Sequence, residues 1–392
     1  MSKEEFLAVA EQRYDALQKL NQLDSFYNYE KLFVELWRDL GREVLEKNLG
    51  PVPLNRRKKK NCTTLGQIEI DKRHAFSEGK NGFQISPVMQ ELMVYAGQLD
   101  CYGKSHEVIK QFLQVEVNAA QVYRVTDTYG AELGKTVNGA RTLPPVKQQD
   151  TLYVEADGSM ILTREEQWKE VKVGRIFNSS DCIKIDEKPG WIKRSQYIAH
   201  LGDHRSFIEQ SDKLIESYGS LGERLVFICD GAPWIRNWIA DTFPGALSIL
   251  DYYHATQYLY PFSESCFKDR QKAQQWTEAQ KKLLLNSEVD RVMDNIRELL
   301  PGHPQARKIL DYYQANKDRM DYKKYLQIGC GLIGSGAIES AHRTVVQKRL
   351  KLSGQRWTKR GAQNMLNLRV THMNGQWDKV VKLVQTEFKA AA

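Results

Sequence analysis

A run of short apolar segments in the middle of the chain constrains the fold more than any other feature. Five of these segments have the length or alternation of β-strands, and they occupy residues 152–156, 168–177, 196–201, 225–229 and 246–250. Helical patterns at residues 206–218 and from Pro233 onward separate the last three strands. The predicted order is therefore three strands, a helix, a strand, a helix and a fifth strand.

That order of elements is the order found in an RNase H-like core. We therefore predict the α/β class, with an RNase H-like mixed sheet flanked by helices. Residues 256–326 show helical periodicity and high charge with no strand pattern, so we expect an all-α insertion after the fifth strand.

The N-terminal part of the chain is predicted to be helical and to end in a helix-turn-helix. Ser86 precedes a first helix, a second helix follows Ser105, and Asn118 is an expected N-cap with Gln121 three residues later. Gln121, Tyr123 and Arg124 would lie on the third helix, and their side chains can contact bases and phosphates. Three short helices also occur in many proteins that do not bind DNA.

These patterns divide the chain into six predicted parts. They are an N-terminal helical segment (1–50), a basic segment with a β-hairpin (51–83), a helix-turn-helix domain (84–145), the first part of the catalytic core (146–255), the helical insertion (256–326) and the last part of the core with basic C-terminal helices (327–392).

Positive charge is concentrated in two stretches, although the net charge is only +8. The first stretch is unbroken: Arg56, Arg57, Lys58, Lys59 and Lys60. Between residues 339 and 372, eight basic residues stand against one acidic residue, and the candidates for DNA contact there are Arg343, Lys348, Arg349, Lys351, Arg356 and the aromatic Trp357. Concentrated positive charge suits a phosphate backbone. The alternative for each stretch is a solvated helix face.

Cysteine usage and hydropathy narrow the class of protein further. The six cysteines contain no CxxC pair and no zinc-knuckle spacing, so structural zinc is not expected. No apolar run approaches the roughly twenty residues of a membrane span, and no signal peptide is recognisable. We expect a reduced, cytoplasmic location.

Three acidic residues are candidates for an active centre because of their positions. Asp157 and Asp230 each follow an apolar strand directly and precede glycine, at the sheet edge where ligands bind in open α/β sheets. Glu339 follows a glycine-rich turn and would lie on the first turn of a helix. Glu155 points to the same strand face as Asp157 and is its rival. Alternatively, the aspartates are turn residues and Glu339 interacts with the helix dipole.

Three carboxylates around one point would need hard cations to neutralise them. Mg²⁺ or Mn²⁺ fits oxygen ligands, and two such ions about 4 Å apart would support in-line displacement at phosphorus. Asp157, Asp230 and Glu339 would then be both the metal ligands and the catalytic residues.

Five sequence blocks resemble bacterial insertion-sequence transposases of the ISKra type, within the Mutator-like group. The blocks are YVEADG at 153–158, WKEVKVG at 168–174, CDGAPWI at 229–235, GSGAIES at 334–340 and QKRLKLSG at 347–354. The resemblance runs in order from about residue 56 to 370. It implies an Asp-Asp-Glu active site on an RNase H-like domain, with a helical insertion in the 109 residues that separate Asp230 from Glu339.

The resemblance also implies a D/C-x-x-H motif after the fifth strand, which residues 251–254 match. It suggests that Asp251 and His254 support the active site or contact DNA; by itself, His254 reads as a helix-start histidine packed among tyrosines. Paired cysteines that relatives often carry near the basic segment are absent except for Cys62, so zinc is doubtful here. Trp234 and Trp357 are candidates for stacking on bases or for core packing.

We therefore expect a bacterial, nucleoid-associated DNA transposase. It would bind double-stranded DNA at the terminal inverted repeats of an insertion sequence, cut there and join the 3′-hydroxyls to target DNA. Holding two ends together requires a homodimer or higher assembly on DNA. The alternatives are a structure-specific RNase H-like nuclease without strand transfer and a catalytically silent, domesticated DNA-binding protein.

Overall fold

The structure is a computed structural model that describes residues 1–50, 52–53, 55–77, 79–136, 141–185, 188–299 and 304–388. The chain forms two compact units. Met1–Gly134 and Gln376–Ala392 make up the first unit, and Lys135–Gly375 make up the second. The last helix therefore belongs to the first unit, whereas the sequence assigned all of residues 327–392 to the end of the catalytic core.

Helices account for most of the regular structure. In chain order they are α1 Lys3–Leu20, α2 Phe26–Asn48, α3 Pro87–Leu99, α4 Tyr102–Leu113, α5 Ala119–Gly134, α6 His204–Glu216, α7 Pro233–Thr242, α8 Tyr252–Thr256, α9 Leu259–Cys266, α10 Arg270–Leu285, α11 Val289–Leu299, α12 Pro304–Asn316, α13 Tyr322–Tyr325, α14 Gly336–Ala341, α15 Lys348–Leu350, α16 Lys359–Met373 and α17 Asp378–Gln385. A π-helical segment, His342–Gln347, joins α14 to α15.

The strands form a hairpin in the first unit and two sheets in the second. In chain order they are β1 Lys58–Thr63, β2 Gly66–Asp71, β3 Leu152–Thr163, β4 Gln167–Asn178, β5 Cys182–Ile185, β6 Lys188–Ile192, β7 Gln196–Leu201, β8 Leu225–Cys229 and β9 Leu247–Leu250.

The predicted three-helix arrangement of the first unit is confirmed as α3, α4 and α5. Asn118 and Gln121 cap α5 reciprocally, since each backbone N–H donates to the other side chain at 3.0 and 2.8 Å. The second helix begins at Tyr102, not after Ser105 as predicted. The Ser105 hydroxyl donates to the carbonyl of Ala96 at 2.8 Å, so Ser105 joins two helices instead of capping one.

The basic run lies partly inside the predicted hairpin. β1 and β2 pair in an antiparallel manner around a turn that joins Thr63 to Gly66. Lys58, Lys59 and Lys60 belong to β1, so only Arg56 and Arg57 of the run precede the hairpin.

The second unit contains a five-stranded mixed sheet in the order β7-β4-β3-β8-β9. β3, β4 and β7 are antiparallel neighbours, and β8 and β9 run parallel to β3. All five predicted strands are present. One prediction was wrong: β3 does not end at Asp157 but continues to Thr163, because its pairing with β4 extends that far. The β5–β6 hairpin was not predicted.

Alternating residues of the sheet bury two different cores. Val154 and Phe227 face α6 and α7 and pack with Phe207 and Trp238. Tyr153 and Val226 face the opposite side, where they pack against the apolar residues of the helices between α8 and α13. These helices are the predicted all-α insertion, and they cover one face of the sheet.

No helix in the described part of the chain is long and apolar enough to cross a membrane.

Candidate active site

Three aspartates stand in register just beyond the point where the parallel pairing of β3, β8 and β9 ends. Paired residues of β3 and β8 differ by 73 positions, and the same offset relates Asp157 to Asp230. Paired residues of β8 and β9 differ by 21 positions, which relates Asp230 to Asp251. Because neighbouring strands lie about 4.8 Å apart, the three residues reach one edge of the sheet together. Parallel pairing of β3 with β8 stops at Glu155, just before this edge.

The carboxylates of Asp157 and Asp230 have different electrostatic environments. Burial raises the pKa of Asp157, but the His342 ring, the backbone N–H of Gly158 and the charge of His254 outweigh burial and lower it. Burial raises the pKa of Asp230, and the nearby charge of Asp157 raises this pKa further. The backbone N–H of Ala232 donates to the Asp230 carboxylate at 3.0 Å and lowers the pKa, but it does not outweigh the other two effects. The two carboxylates therefore interact, and their repulsion is a cost that a cation would relieve.

Asp251 is completely buried and organises the edge through hydrogen bonds. It accepts from the backbone N–H of Tyr253 at 2.9 Å, from the N–H of Ser335 at 3.2 Å and from the Ser335 hydroxyl at 2.5 Å. Its Oδ2 lies 2.5 Å from Nδ1 of His254. Although burial raises the pKa of Asp251, these hydrogen bonds outweigh burial and lower it.

His254 is coupled to all three aspartates. The hydrogen bond with Asp251 raises the pKa of His254 against the effect of burial, and the charges of Asp230 and Asp157 raise it further. The histidine thus lies with the predicted carboxylates, as the D-x-x-H pattern suggested. Its role in the reaction stays a prediction. Asp251 follows β9 directly, as Asp230 follows β8, which agrees with the motif expected after the fifth strand.

Two buried side chains hold α14 against β3 and β4. Glu155 accepts from the backbone N–H of Ile338 at 2.6 Å, and Arg175 donates to the carbonyl of Ala337 at 2.8 Å and to the Ser195 hydroxyl at 2.9 Å. Glu155 has no exposed surface, and burial raises its pKa well above the ordinary value. This contact gives Glu155 a positioning role, whereas Asp157 is partly exposed at the edge.

Glu339 and His342 lie one turn apart on the helix that Glu155 and Arg175 hold. His342 is buried, and its Nε2 lies 3.3 Å from Oδ2 of Asp157, although neither ring nitrogen has a hydrogen bond with suitable geometry in the described structure. The carboxylate of Glu339 is exposed. The helix becomes π-helical from His342 onward, a distortion that is frequent at functional sites. Only its helical spacing from Glu339 could have singled out His342 in the sequence.

Within the residues that the structure describes, no three His, Cys, Asp or Glu side chains are gathered closely enough to hold one metal ion. The register brings Asp157 and Asp230 together, and α14, the helix of Glu339, contacts Glu155 on the same strand face through Ile338. The predicted three-carboxylate cluster itself is not assembled in this structure. The donor set of the two aspartates consists of oxygens and suits Mg²⁺ or Mn²⁺.

A buried arginine of the helical insertion, Arg319, forms hydrogen bonds at the aspartate edge of the sheet. Arg319 donates to Sγ of Cys229 at 3.0 Å and to the carbonyls of Asp230 and Ile249 at 3.4 Å each. The Tyr322 hydroxyl donates to the carbonyl of Leu250 at 3.0 Å. The insertion therefore binds the backbone where β8 and β9 end. No motif in the sequence identified Arg319 or Tyr322.

The predicted DNA-contact residues of the second unit divide into exposed and buried groups. Arg343, Lys348, Lys351 and Arg356 are exposed, and Lys351 donates to the Ser159 hydroxyl at 2.5 Å. Arg349 and Trp357 are buried; the Arg349 guanidinium lies 5.0 Å from the Trp357 ring centre.

The prediction that Arg349 and Trp357 contact DNA needs correction. Neither side chain can reach a phosphate or a base in this structure, because both lie in the interior. Trp357 also donates from its indole N–H to the carbonyl of Leu350 at 3.1 Å. Trp234, the other stacking candidate, packs against Phe207 and Trp238.

In the first unit, most predicted DNA-contact residues lie at the surface. Four residues of the basic run are exposed, namely Arg56, Arg57, Lys58 and Lys60, and Lys59 is half-buried. Two of them form ion pairs within the hairpin region: Arg56 with Asp71 at 2.8 Å and Lys58 with Glu69 at 3.0 Å. On α5, Tyr123 and Arg124 are exposed, and Tyr123 packs edge-on against Tyr102. Gln121 is half-buried, and its side-chain carbonyl is used in the cap of α5.

A cleft of about 700 Å³ opens beside the aspartate edge in the second unit. Its lining includes Arg175, Trp191, Tyr253, Gly334 and Ser340. Trp191 and Tyr253 are 57% and 64% exposed, so two aromatic rings border a cleft that reaches the helix carrying Glu339. Trp191 lies on the β5–β6 hairpin, which the sequence did not reveal.

A family model described as an uncharacterised protein family, UPF0236, matches residues 54–387. The chain belongs to UPF0236. The match includes the basic hairpin, the three helices α3 to α5 and every residue of the aspartate edge. A curated relative in Streptococcus gallolyticus, the UPF0236 protein in the vanSb 3′ region, is 25% identical over 259 residues, which cover 61% of this chain. That match covers 54% of the relative, so this chain spans about half of its length.

Proposed function

We propose that this UPF0236 chain is a DNA transposase that binds the terminal inverted repeats of an insertion sequence, cuts them and joins them to target DNA. The observation that carries the proposal is the register of Asp157, Asp230 and Asp251 at one edge of the sheet. Open α/β sheets bind ligands at the edge where their parallel strands end, and β8 and β9 end at this edge beside Asp157. A set of carboxylates there suits metal-assisted phosphoryl chemistry.

The sheet supports the finer assignment to the RNase H-like fold. Three antiparallel strands come first in the chain, and two further strands then extend the sheet parallel to β3. The helical insertion follows β9, and α14 returns to the face of β3 and β4. This is the arrangement expected from the resemblance to ISKra-type transposases.

We assign Asp157 and Asp230 as the residues that would hold Mg²⁺ or Mn²⁺, with Glu339 as the third ligand in the DNA-bound enzyme. Repulsion between Asp157 and Asp230 supports a cation between them. When bound, a pair of such ions supplies activation of the attacking water or 3′-hydroxyl and stabilisation of the leaving oxygen. Glu339 lies on α14, and Glu155 holds that helix in place. To reach the metal ions, Glu339 would therefore mainly need to rotate its side chain.

The two histidines would control the charge of the aspartates. His342 favours the ionised form of Asp157, because its proximity lowers the pKa of that carboxyl. His254, held by Asp251, places a titratable ring near Asp230 and Asp157. Because both rings would act through the aspartates, we treat them as positioning residues.

Each unit would contribute separately to DNA binding. In the first unit, the exposed Tyr123 and Arg124 on α5 suit a helix that enters the major groove. In the second unit, exposed Trp191 and Tyr253 could stack on unpaired bases in the cleft beside the aspartates.

A plasmid assay tests the proposal. Purified chain, DNA carrying the inverted repeats that flank its gene, a target plasmid and Mg²⁺ should yield ends cut at the repeats and joined to the target. Asp230→Asn should abolish both products, while the control Asp241→Asn, at an exposed position on the last turn of α7, should abolish neither.

Other outcomes would change the assignment in defined ways. Cutting without joining would identify a nuclease. Binding without cutting by the unaltered chain would identify a silent DNA-binding protein. Unchanged cutting by Asp230→Asn would remove the aspartate edge from the active site.

A further inference from the structure

Two cysteine thiols lie in contact in the second unit, although they are 148 residues apart in the chain. Sγ of Cys182, the first residue of β5, is 3.1 Å from Sγ of Cys330, which lies between α13 and α14. Both are free thiols. A disulfide bond would shorten this separation to about 2.05 Å, so closure requires a movement of roughly 1 Å.

The surroundings make Cys182 the more reachable thiol and Cys330 the more readily deprotonated one, because the contact between them raises the pKa of Cys182 and lowers that of Cys330. Cys182 is partly exposed and lines the 700 Å³ cleft, so a dissolved reagent can reach it. Cys330 is 5% exposed. The neighbouring Cys182 thiol and the Tyr153 hydroxyl outweigh burial and hold the pKa of Cys330 below its ordinary value. A lower thiol pKa increases the fraction present as thiolate, which is the form that attacks disulfides.

We propose that Cys182 and Cys330 form a reversible disulfide and make this region of the protein redox-sensitive. The oxidant is a small dissolved disulfide such as oxidised glutathione. Cys330, as the thiolate, accepts the proton of Cys182 across the 3.1 Å contact, and the Cys182 sulfur attacks the oxidant, forms a mixed disulfide and releases one glutathione thiolate; Cys330 then gives up that proton to solvent. The Cys330 thiolate then attacks Sγ of Cys182, closes the protein disulfide and releases the second glutathione thiolate. Two protein thiols are oxidised, one external disulfide is reduced, and each cysteine loses one proton to solvent.

The bond would fix the start of the segment that leads to Glu339. That segment is already anchored at Ser335, through Asp251, and at Ile338, through Glu155. A covalent link at Cys330 would add an anchor to the β5–β6 hairpin at the beginning of the segment. The oxidised chain should therefore resist unfolding better than the reduced chain, because the link closes a long loop. This inference depends on the position of the two thiols and not on the proposed transposase activity.

Oxidation of the full chain with a series of oxidised glutathione concentrations tests the proposal. We expect loss of two hydrogen atoms in the intact mass, a peptide containing both cysteines after non-reducing digestion, a higher Tm, and reversal of all three by dithiothreitol. Cys330→Ser should instead accumulate glutathione on Cys182 and show no rise in Tm. Cys101→Ser, at a partly exposed cysteine of the first unit, should behave like the unaltered chain.

Two results would overturn the proposal. One is stable glutathione addition at Cys182 in the unaltered chain with no internal link. The other is a link that joins different cysteines. Because the readouts are mass and stability, failure here would leave the DNA cleavage assay unaffected, and failure of that assay would leave this result unaffected.

Discussion

Oδ2 of Asp157 lies 3.3 Å from Nε2 of His342, which joins the end of the β3–β8 pairing to the helix that carries Glu339. His342 is almost completely buried, whereas the Asp157 side chain is 35% exposed. The histidine therefore approaches Asp157 from the protein side and leaves the solvent side of the carboxylate available for a ligand. In the proposed function, His342 would therefore act through Asp157.

We predict that His342→Gln reduces Mg²⁺-dependent DNA cleavage by about 10- to 100-fold, the usual cost of losing a partner that orients a metal-binding carboxylate. Because His342 lowers the pKa of Asp157, its loss should move the acidic limb of the cleavage profile to higher pH. Cleavage rates measured across the acidic and neutral range would show this shift. An equal fall in rate at every pH would mean that His342 only supports the fold.

Asp230→Asn should stabilise the protein in EDTA and abolish stabilisation by Mn²⁺. The raised pKa of Asp230 means that its ionised form is unfavourable in the folded state above that pKa, so removing the charge relieves a cost. Asparagine can keep the hydrogen bond from the Ala232 N–H. Thermal unfolding with EDTA and with Mn²⁺ measures both effects.

A Tm for Asp230→Asn that rises with Mn²⁺ as much as that of the unaltered chain would rule out a metal at this residue. Asp241→Asn serves again as the control and should keep the full Mn²⁺ response.

Glu155→Gln and Asp157→Asn should separate the two rival carboxylates of β3. The amide oxygen introduced by Glu155→Gln can still accept from the Ile338 N–H, so Mn²⁺ stabilisation and cleavage should persist in that variant, while Asp157→Asn should lose both. Glu155→Ala should instead destabilise the protein by roughly 1–3 kcal/mol, because a buried backbone donor loses its partner. Loss of the Mn²⁺ response in Glu155→Gln would reverse the assignment of the two residues.

The sheet and the shared edge of Asp157 and Asp230 were predictable from the sequence because strand periodicity is a local signal, although β3 continues past the predicted end at Asp157 to Thr163. Asp157 and Asp230 each follow a buried apolar run, and the structure keeps them at one edge. The contacts that surround them join residues far apart in the chain. Arg319, which supports the end of β8, is 89 residues from Asp230, and no local pattern indicates such a contact.

Burial was the property least accessible to sequence analysis. Arg349 belongs to a basic stretch that favoured DNA contact, yet its side chain is enclosed beside Trp357. The sequence shows the charge of a residue but not the side of the helix that tertiary packing covers. The same limit applies to Glu155 and Asp157. Both lie on one strand face, but Glu155 is buried against α14 and Asp157 is partly exposed.

The Asp251–His254 pair should make stability depend on pH. The pKa of His254 is raised in the folded state. The stabilisation that protonated His254 gives to the fold is therefore fully present below its unfolded-state pKa of about 6.5, and it is lost as the pH rises through the folded-state pKa. The pKa of Asp251 is lowered in the folded state. The stabilisation that ionised Asp251 gives to the fold is therefore fully present above its unfolded-state pKa of about 3.9, and it is lost as the pH falls through the folded-state pKa. The pair should therefore stabilise the fold most between about pH 4 and pH 6.5.

His254→Gln should accordingly cost about 1 kcal/mol at about pH 6, a modest value because the histidine side chain is about one-third exposed. The difference from the unaltered chain should shrink as the medium becomes alkaline. Urea unfolding at a mildly acidic and at an alkaline pH gives both values. A cost that stays constant with pH would indicate lost packing and not a lost charged hydrogen bond.

Arg124→Ala should weaken binding to the terminal repeats without unfolding the three-helix arrangement of the first unit. Arg124 is exposed on α5, while the capping hydrogen bonds of that helix involve only Asn118 and Gln121. If Arg124 contacts a phosphate, the slope of log affinity against log salt should fall by about one; if it contacts a base, discrimination against one altered base pair should fall by about 1–3 kcal/mol. Fluorescence anisotropy with repeat DNA and with scrambled DNA distinguishes these outcomes.

A matched charge removal on the neighbouring helix completes the test of α5. Lys104→Ala, at an exposed position on α4, removes the same charge and should leave binding of repeat DNA within about twofold if recognition belongs to α5. Equal losses in Lys104→Ala and Arg124→Ala would show that the first unit binds DNA through its net charge and not through a recognition helix.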